Sequence, residues 1–258
     1  MVAYCLMDSN SIHVVCTEEA TTHTLYHATI AIKGESVLGL QELLSLYPIL
    51  SLPYRCTHVM VHDNSPFVVL PESLSGSATS EEWLSLSTDI HSQKVLSADF
   101  EEEKLKLVYT VSQEFYEFVT RSFSMPVFTH SVEPHLRVVL RQSRLQSQQF
   151  ISVLLDKDTL QVVLAKDGQL LLANAYTIVT ENDLLYYITA IYRHFKLNPT
   201  EVPLFLYSRE NNDTVIGRLR ENIATVKHNY FQQYDFEINS KSHENPIPTP
   251  IIWQVLCE

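Results

Sequence analysis

The sequence predicts an α/β fold made of two similar halves. Two observations carry that expectation. The order strand, strand, strand, helix, strand appears in the first sixty or so residues and returns from Phe150 to Ser208. The turn between the first two strands also repeats, as Asp8-Ser9-Asn10-Ser11 and again as Asp156-Lys157-Asp158-Thr159. An order of elements that recurs along the chain is the mark of a duplicated unit.

Taken in order, "VAYCLM", "SIHVVCT" and "TLYHATIAI" read as strands, because β-branched and aromatic residues dominate and short polar residues fill the turn. "SVLGLQELLSLYPIL" places Val37, Leu40, Leu43, Leu44 and Tyr47 at helical spacing and is stopped by Pro48. "THVMVH" is a strand, and "FVVLPESL" extends or follows it. "SATSEEWLSLS" is a short helix with Ser80 as its cap and early glutamates at its N-terminus. Glu101-Glu102-Glu103 reads as a solvated turn ahead of the strand "KLKLVYTV". A helix from Ser112 to about Phe123, a strand "PVFTH" and a helix from Glu133 to about Gln146 complete the first half.

The second half opens on "FISVLLD", "LQVVLAKD" and "LLLANAYTI", with Asp167-Gly168 as a hairpin turn. Thr180 caps the helix "ENDLLYYITAIYRHF", whose Leu184, Leu185, Ile188, Ile191, Tyr192 and Phe195 share a face. "VPLFLYS" is a strand, "DTVIGRLRENI" a helix in which Gly217 is expected to mark close packing, and "ATVKHNYF" a late strand. The proline-rich "SKSHENPIPTP" and the apolar tail "IIWQVL" close the chain. The expected division is residues 1–148 and 149–258.

Composition narrows the function classes. With 258 residues, 45% of them hydrophobic, the chain can bury a substantial core. Its formal charge of −12 disfavours nucleic acid and anionic lipid as partners. Arg137, Arg141 and Arg144 are spaced to share a helix face, which reads as a solvated one. Cys5, Cys16, Cys56 and Cys257 show neither a CxxC pair nor zinc spacing, and Cys5 and Cys16 sit in apolar strands as small hydrophobes. The first basic residue is Lys33, and no apolar run has the length of a membrane span, so direct membrane insertion is not expected and a cytoplasmic location is.

The paired Asp-x-x-Ser/Thr hairpins, each opening a βββαβα half, resemble the actin-like (ribonuclease H-like) ATPase fold shared by actin, sugar kinases and heat-shock chaperones. Phe150 to Ser208 is similar to the actin-like proteins of pilus assembly, and the whole chain resembles an uncharacterised Bacteroidetes family with that fold. The resemblance implies two halves around a central cleft that holds Mg·ATP. It assigns Asp8 and Asp156 to the metal-bearing aspartates and Ser11 and Thr159 to the hydroxyl positions. Where that fold has glycine, this sequence has Asn10 and Asp158. Both side chains suit a tight turn but leave no room for close approach of backbone to phosphate. Asp158 adds a charge that at about 4 Å would repel a phosphate oxygen by roughly 4 kcal/mol at an intermediate effective dielectric. The adenosine loop should follow "VPLFLYS" with glycines, and the sequence there continues Arg209-Glu210-Asn211-Asn212. None of the glycines, Gly34, Gly39, Gly76, Gly168 and Gly217, falls in a phosphate or adenosine position.

Other chemistry is thinly marked. His58 and His62 lie about 13 Å apart along one strand, too far to share an ion, and His23 and His27 fail likewise. His62-Asp63 with His130 could supply letters for a Ser/His/Asp site. Tyr186, Tyr187, Tyr192 and Phe195, and later Tyr230, Phe231, Tyr234 and Phe236, read mainly as core, or as a protein-binding patch where exposed. The leading expectation is therefore a non-catalytic actin-like scaffold with no cofactor, taking a partner protein or peptide in the cleft or a subdomain groove. A divergent Mg·ATP-binding switch is the alternative, and a small-molecule hydrolase the third reading.

Overall fold

The computed structural model describes residues 1–7, 11–18, 23–32, 36–61, 65–156, 158–208, 213–228 and 247–257. Along the chain the elements are β1 (Val2–Met7), β2 (Ser11–Thr17), β3 (Thr24–Ala31), α1 (Ser36–Leu46), β4 (Cys56–Val61), β5 (Phe67–Pro71), α2 (Glu72–Ser75), α3 (Ser80–Ser85), β6 (Gln93–Phe100), β7 (Leu105–Ser112), α4 (Gln113–Ser122), β8 (Pro126–His130) and α5 (Val132–Gln146). There follow β9 (Gln149–Asp156), β10 (Thr159–Lys166), β11 (Gln169–Thr177), α6 (Glu181–His194), β12 (Leu204–Ser208), α7 (Asp213–Arg220), β13 (Val226–His228) and α8 (Thr249–Cys257).

The duplication is visible in the sheets. One runs β3-β2-β1-β4-β8 and another β11-β10-β9-β12-β13. In both, the first three strands are antiparallel neighbours, and the later two join in parallel. The sheets are therefore the same sheet built twice. Every residue of β1 is buried, as expected of a strand covered on both faces.

By contacts the chain forms two units, Met1–Glu133 with the closing segment to Leu256, and Pro134–Asp235. In the first unit an insertion between β4 and β8 adds a second sheet, β5-β7-β6, whose small core joins Leu70, Leu84 and Val108 with Val68, Trp83 and Val95. The apolar tail is helical. As α8 it lays Ile251 with Ile247 against Val2, Tyr4, Leu6, Val15 and Met60 of the first sheet. In the second unit Ile151, Val153, Leu160, Val162, Leu204 and Leu206 from the sheet meet Leu184, Ile188, Ile191 and Tyr192 of α6 and Val215, Ile216 and Leu219 of α7.

Several local expectations need correction. "FVVLPESL" is not one strand: it ends at Pro71, and α2 begins at Glu72. The cap of α3 is Thr79 rather than Ser80, because Thr79 has a glutamate three residues on. Its Oγ1 accepts from Glu82 N at 3.1 Å, and Glu82 Oε2 accepts from Thr79 N at 2.7 Å. Gly217 does not mark close packing among the described residues, since a Cβ there would meet none of their atoms within 4 Å outside its own helix. Asp167-Gly168 does form the expected turn, with φ of 53° and 78° at the two residues. Thr180 caps α6 in a box with Asp183, whose carboxyl is held below the usual range by the Val179 and Thr180 amides.

Candidate functional site

The second phosphate-type hairpin is formed by β9 and β10, which are joined so that Asp156 pairs directly with Thr159. Both of those side chains are buried. Asp158 is exposed on the turn, and its carbonyl accepts from Ile178 N at 2.7 Å, tying the turn to the entry of α6. Thr159 Oγ1 lies 3.5 Å from Asp158 Oδ1. The hydroxyl and the carboxylate thus sit side by side at the turn.

In the first half, Asp8 and Asn10 lie outside the described residues. Ser11 is half-buried, with its Oγ 3.3 Å from His13 Nε2, while His13 Nδ1 lies 2.9 Å from Thr29 Oγ1. The Ser11 hydroxyl therefore takes part in a side-chain chain along β2 and β3. Gly34 and Arg209 to Asn212 also lie outside the described residues.

Of the histidines singled out in the sequence, His130 and His58 are taken up by the fold, while elsewhere His228 Nε2 lies 3.0 Å from Ser208 Oγ. His130 accepts from Val132 N through Nδ1 at 3.1 Å, and its Nε2 lies 3.2 Å from the Ser65 carbonyl. With both nitrogens on backbone groups and its ring between Phe67 and Tyr109, His130 is a strut of the fold. His58 sits opposite Tyr4 and stacks on it at 5.0 Å, the cross-strand packing expected of it. His62 and Asp63 lie outside the described residues. His23 precedes β3, and His27 on β3 is held below its ordinary pKa by burial and then by His13. Among the described residues no group of three His, Cys, Asp or Glu side chains could hold a metal ion, and no helix is long and apolar enough to cross a membrane. None of the four cysteines is in a disulfide, and burial pushes the Cys5 and Cys16 thiols up.

The aromatics of α6 divide. Tyr192 is buried, with its hydroxyl donating to Val202 O at 2.8 Å. Tyr187 stacks on Tyr176 of β11 at 4.3 Å, and Tyr186 is 68% exposed. Between β11 and α6 lies a groove of about 330 Å³, lined by Leu172, Tyr176, Tyr187, Ala190, His194 and Phe195 together with Ile191. The sequence offered the aromatic spacing but no sign of this groove, which depends on where α6 crosses the sheet. Tyr230, Phe231, Tyr234 and Phe236 lie outside the described residues.

A repeated sheet of this order, each copy opened by an Asp-x-x-Ser/Thr hairpin, defines the actin-like fold. The chain belongs to the family described as "Protein of unknown function (DUF3822)", whose model matches residues 1–226. No curated protein matches its sequence. Its fold is similar to a Bacteroides thetaiotaomicron protein with an actin-like ATPase fold and unknown function, at 15% identity and a TM-score of 0.85, over 100% of this chain and 96% of that one. It is also similar to a chain of the PilM–PilN type IV pilus biogenesis complex, at 10% identity and a TM-score of 0.61, over 88% and 87% of the two chains.

Proposed function

We propose that this chain is a non-catalytic actin-like protein of the cytoplasm that works as a protein-interaction or scaffold module, with a degenerate nucleotide site. The observation that carries the reading is the β9–β10 turn, where Asp158 stands exposed next to the Thr159 hydroxyl. A phosphate brought to that turn would meet a carboxylate instead of backbone amides. The apolar groove beside α6 is the kind of surface a protein partner uses. The pilus biogenesis complex supports the reading by analogy of fold, since there a chain of similar fold is part of an assembly.

A divergent Mg·ATP-binding protein is the second reading, and it is favoured by Asp156. That aspartate stays buried at the end of β9, opposite Thr159 in the ladder.

Thermal unfolding with and without excess Mg·ATP separates the two. Ligand at about 100 times its dissociation constant adds about 2.7 kcal/mol, a rise of roughly 5–11 °C for a chain of this size at about 2–4 °C per kcal/mol. The scaffold reading expects no rise. A rise that vanishes in Asp156→Asn overturns it in favour of the nucleotide switch.

A further inference from the structure

The sheet of the second unit ends at β11, which among the described residues pairs with β10 alone. Among the described residues no strand pairs with its outer edge. Asn174 Oδ1 accepts from Ala175 N at 2.9 Å, so that amide points away from β10. By the alternation of an antiparallel ladder, the backbone groups of Ala173 face the same way, up to the register shift at Leu171. Edges are ordinarily blunted by charged residues or proline. From Gln169 to Thr180 this chain has neither, and Leu171 is 41% exposed and Val179 89%.

The groove runs along this same edge, with Leu172 and Tyr176 on the strand side and Tyr187, Ala190, His194 and Phe195 on the helix side. An added strand would satisfy the β11 backbone and send every second side chain between β11 and α6. That is recognition by strand addition, in which backbone bonds give affinity and the pocket gives selectivity.

Charge selects the occupant. In a chain of net charge −12, no acidic residue occurs between Asp183 and Glu201. That stretch carries Arg193, His194 and Lys196 at the end of α6, all exposed. Because Tyr176 stacks on Tyr187, the opposite end of the groove, at Leu172, is the end near these basic residues. A strand antiparallel to β11 would bring its C-terminal end there. A second copy of this acidic chain fits less well than a short apolar segment with its negative charge at one end.

We propose that the β11 edge and its groove bind an extended peptide of alternating apolar residues with an acidic C-terminal end, added antiparallel to β11. The proposal rests on the reading of the chain as a protein-binding module.

The test begins by panning random peptides, as long as β11, against the full chain. A fluorescent copy of the recovered sequence is then titrated by anisotropy. The expected peptides alternate apolar residues and end in Asp or Glu. Bound peptide should slow amide exchange at Ala173 and Ala175. Ala190→Arg, which fills the groove from a half-buried position of α6, and Lys196→Glu should each weaken binding by about tenfold. Recovery of no peptide, binding without protection of those amides, or indifference to both variants overturns the proposal. Sedimentation showing a dimer that Ala190→Arg dissolves also overturns it, in favour of self-pairing. Peptides that bind elsewhere leave the module reading standing, whereas stabilisation by Mg·ATP removes that reading whatever the peptides do.

Discussion

His135 on α5 and Ser152 on β9 meet at 2.8 Å between Nε2 and Oγ, and both side chains are fully buried. Burial pushes the His135 pKa down from 6.5 to about 3, with a hydrogen bond to Gln161 as a smaller opposing influence. The folded state therefore holds a neutral imidazole that the unfolded chain protonates near pH 6.5. This stability is fully present above that pH and is lost as pH falls toward the folded value, by about 1.4 kcal/mol per unit. Urea unfolding of the wild type and His135→Gln at several pH values between about 7 and 5 checks it. The wild type should lose stability more steeply with acid, and parallel curves would refute the assignment.

Gly168 and Gly217 should respond to alanine with opposite sign. At Gly168 a Cβ would lie 2.9 Å from Arg144 Cβ and Nε, on a backbone with φ of 78°. Gly168→Ala should cost about 1–2 kcal/mol. Gly217 lies inside α7, and among the described residues a Cβ there would meet no atom within 4 Å outside its own helix, so Gly217→Ala should stabilise by about 0.5–1 kcal/mol. Chemical denaturation of both variants is sufficient, and a shared sign would contradict the geometry.

The cap of α3 can be read by substitution. Thr79→Ala removes the acceptor for Glu82 N and should cost about 1 kcal/mol, whereas Ser80→Ala should stay within about 0.5 kcal/mol. Equal losses would mean that the capping box is not the interaction that starts this helix.

Ile251 of α8 is fully buried against β1 and its neighbours. Ile251→Ala should therefore destabilise the protein by about 2–5 kcal/mol. Amide exchange should show the loss in β1, β2 and β4 more than in β9 or β10. Uniform loosening of both sheets would place the helix's contribution elsewhere.

Much of this architecture is written locally. The apolar run of "FISVLLD" and the helical spacing of Leu184, Ile188, Ile191 and Tyr192 are short-range patterns, and each formed the element it predicts. The Asp-Gly turn and the Thr180 cap are also decided within a few residues, by backbone sterics and by one side-chain oxygen. Where the local signal was read one residue off, at Thr79, the capping glutamate at fixed spacing was already in the sequence.

The sequence by itself therefore determined the two halves, their order of elements, and the presence of Asp158 where a phosphate hairpin carries glycine. Tertiary structure decided the rest. It made the apolar tail a helix over the first sheet, turned His130 into a backbone strut, and left the uncharged β11 at an edge beside α6. The reason is physical. Periodicity tells which face of a segment is apolar, but the surface that covers that face, and the strand left without a neighbour, depend on pairings between residues far apart in the chain.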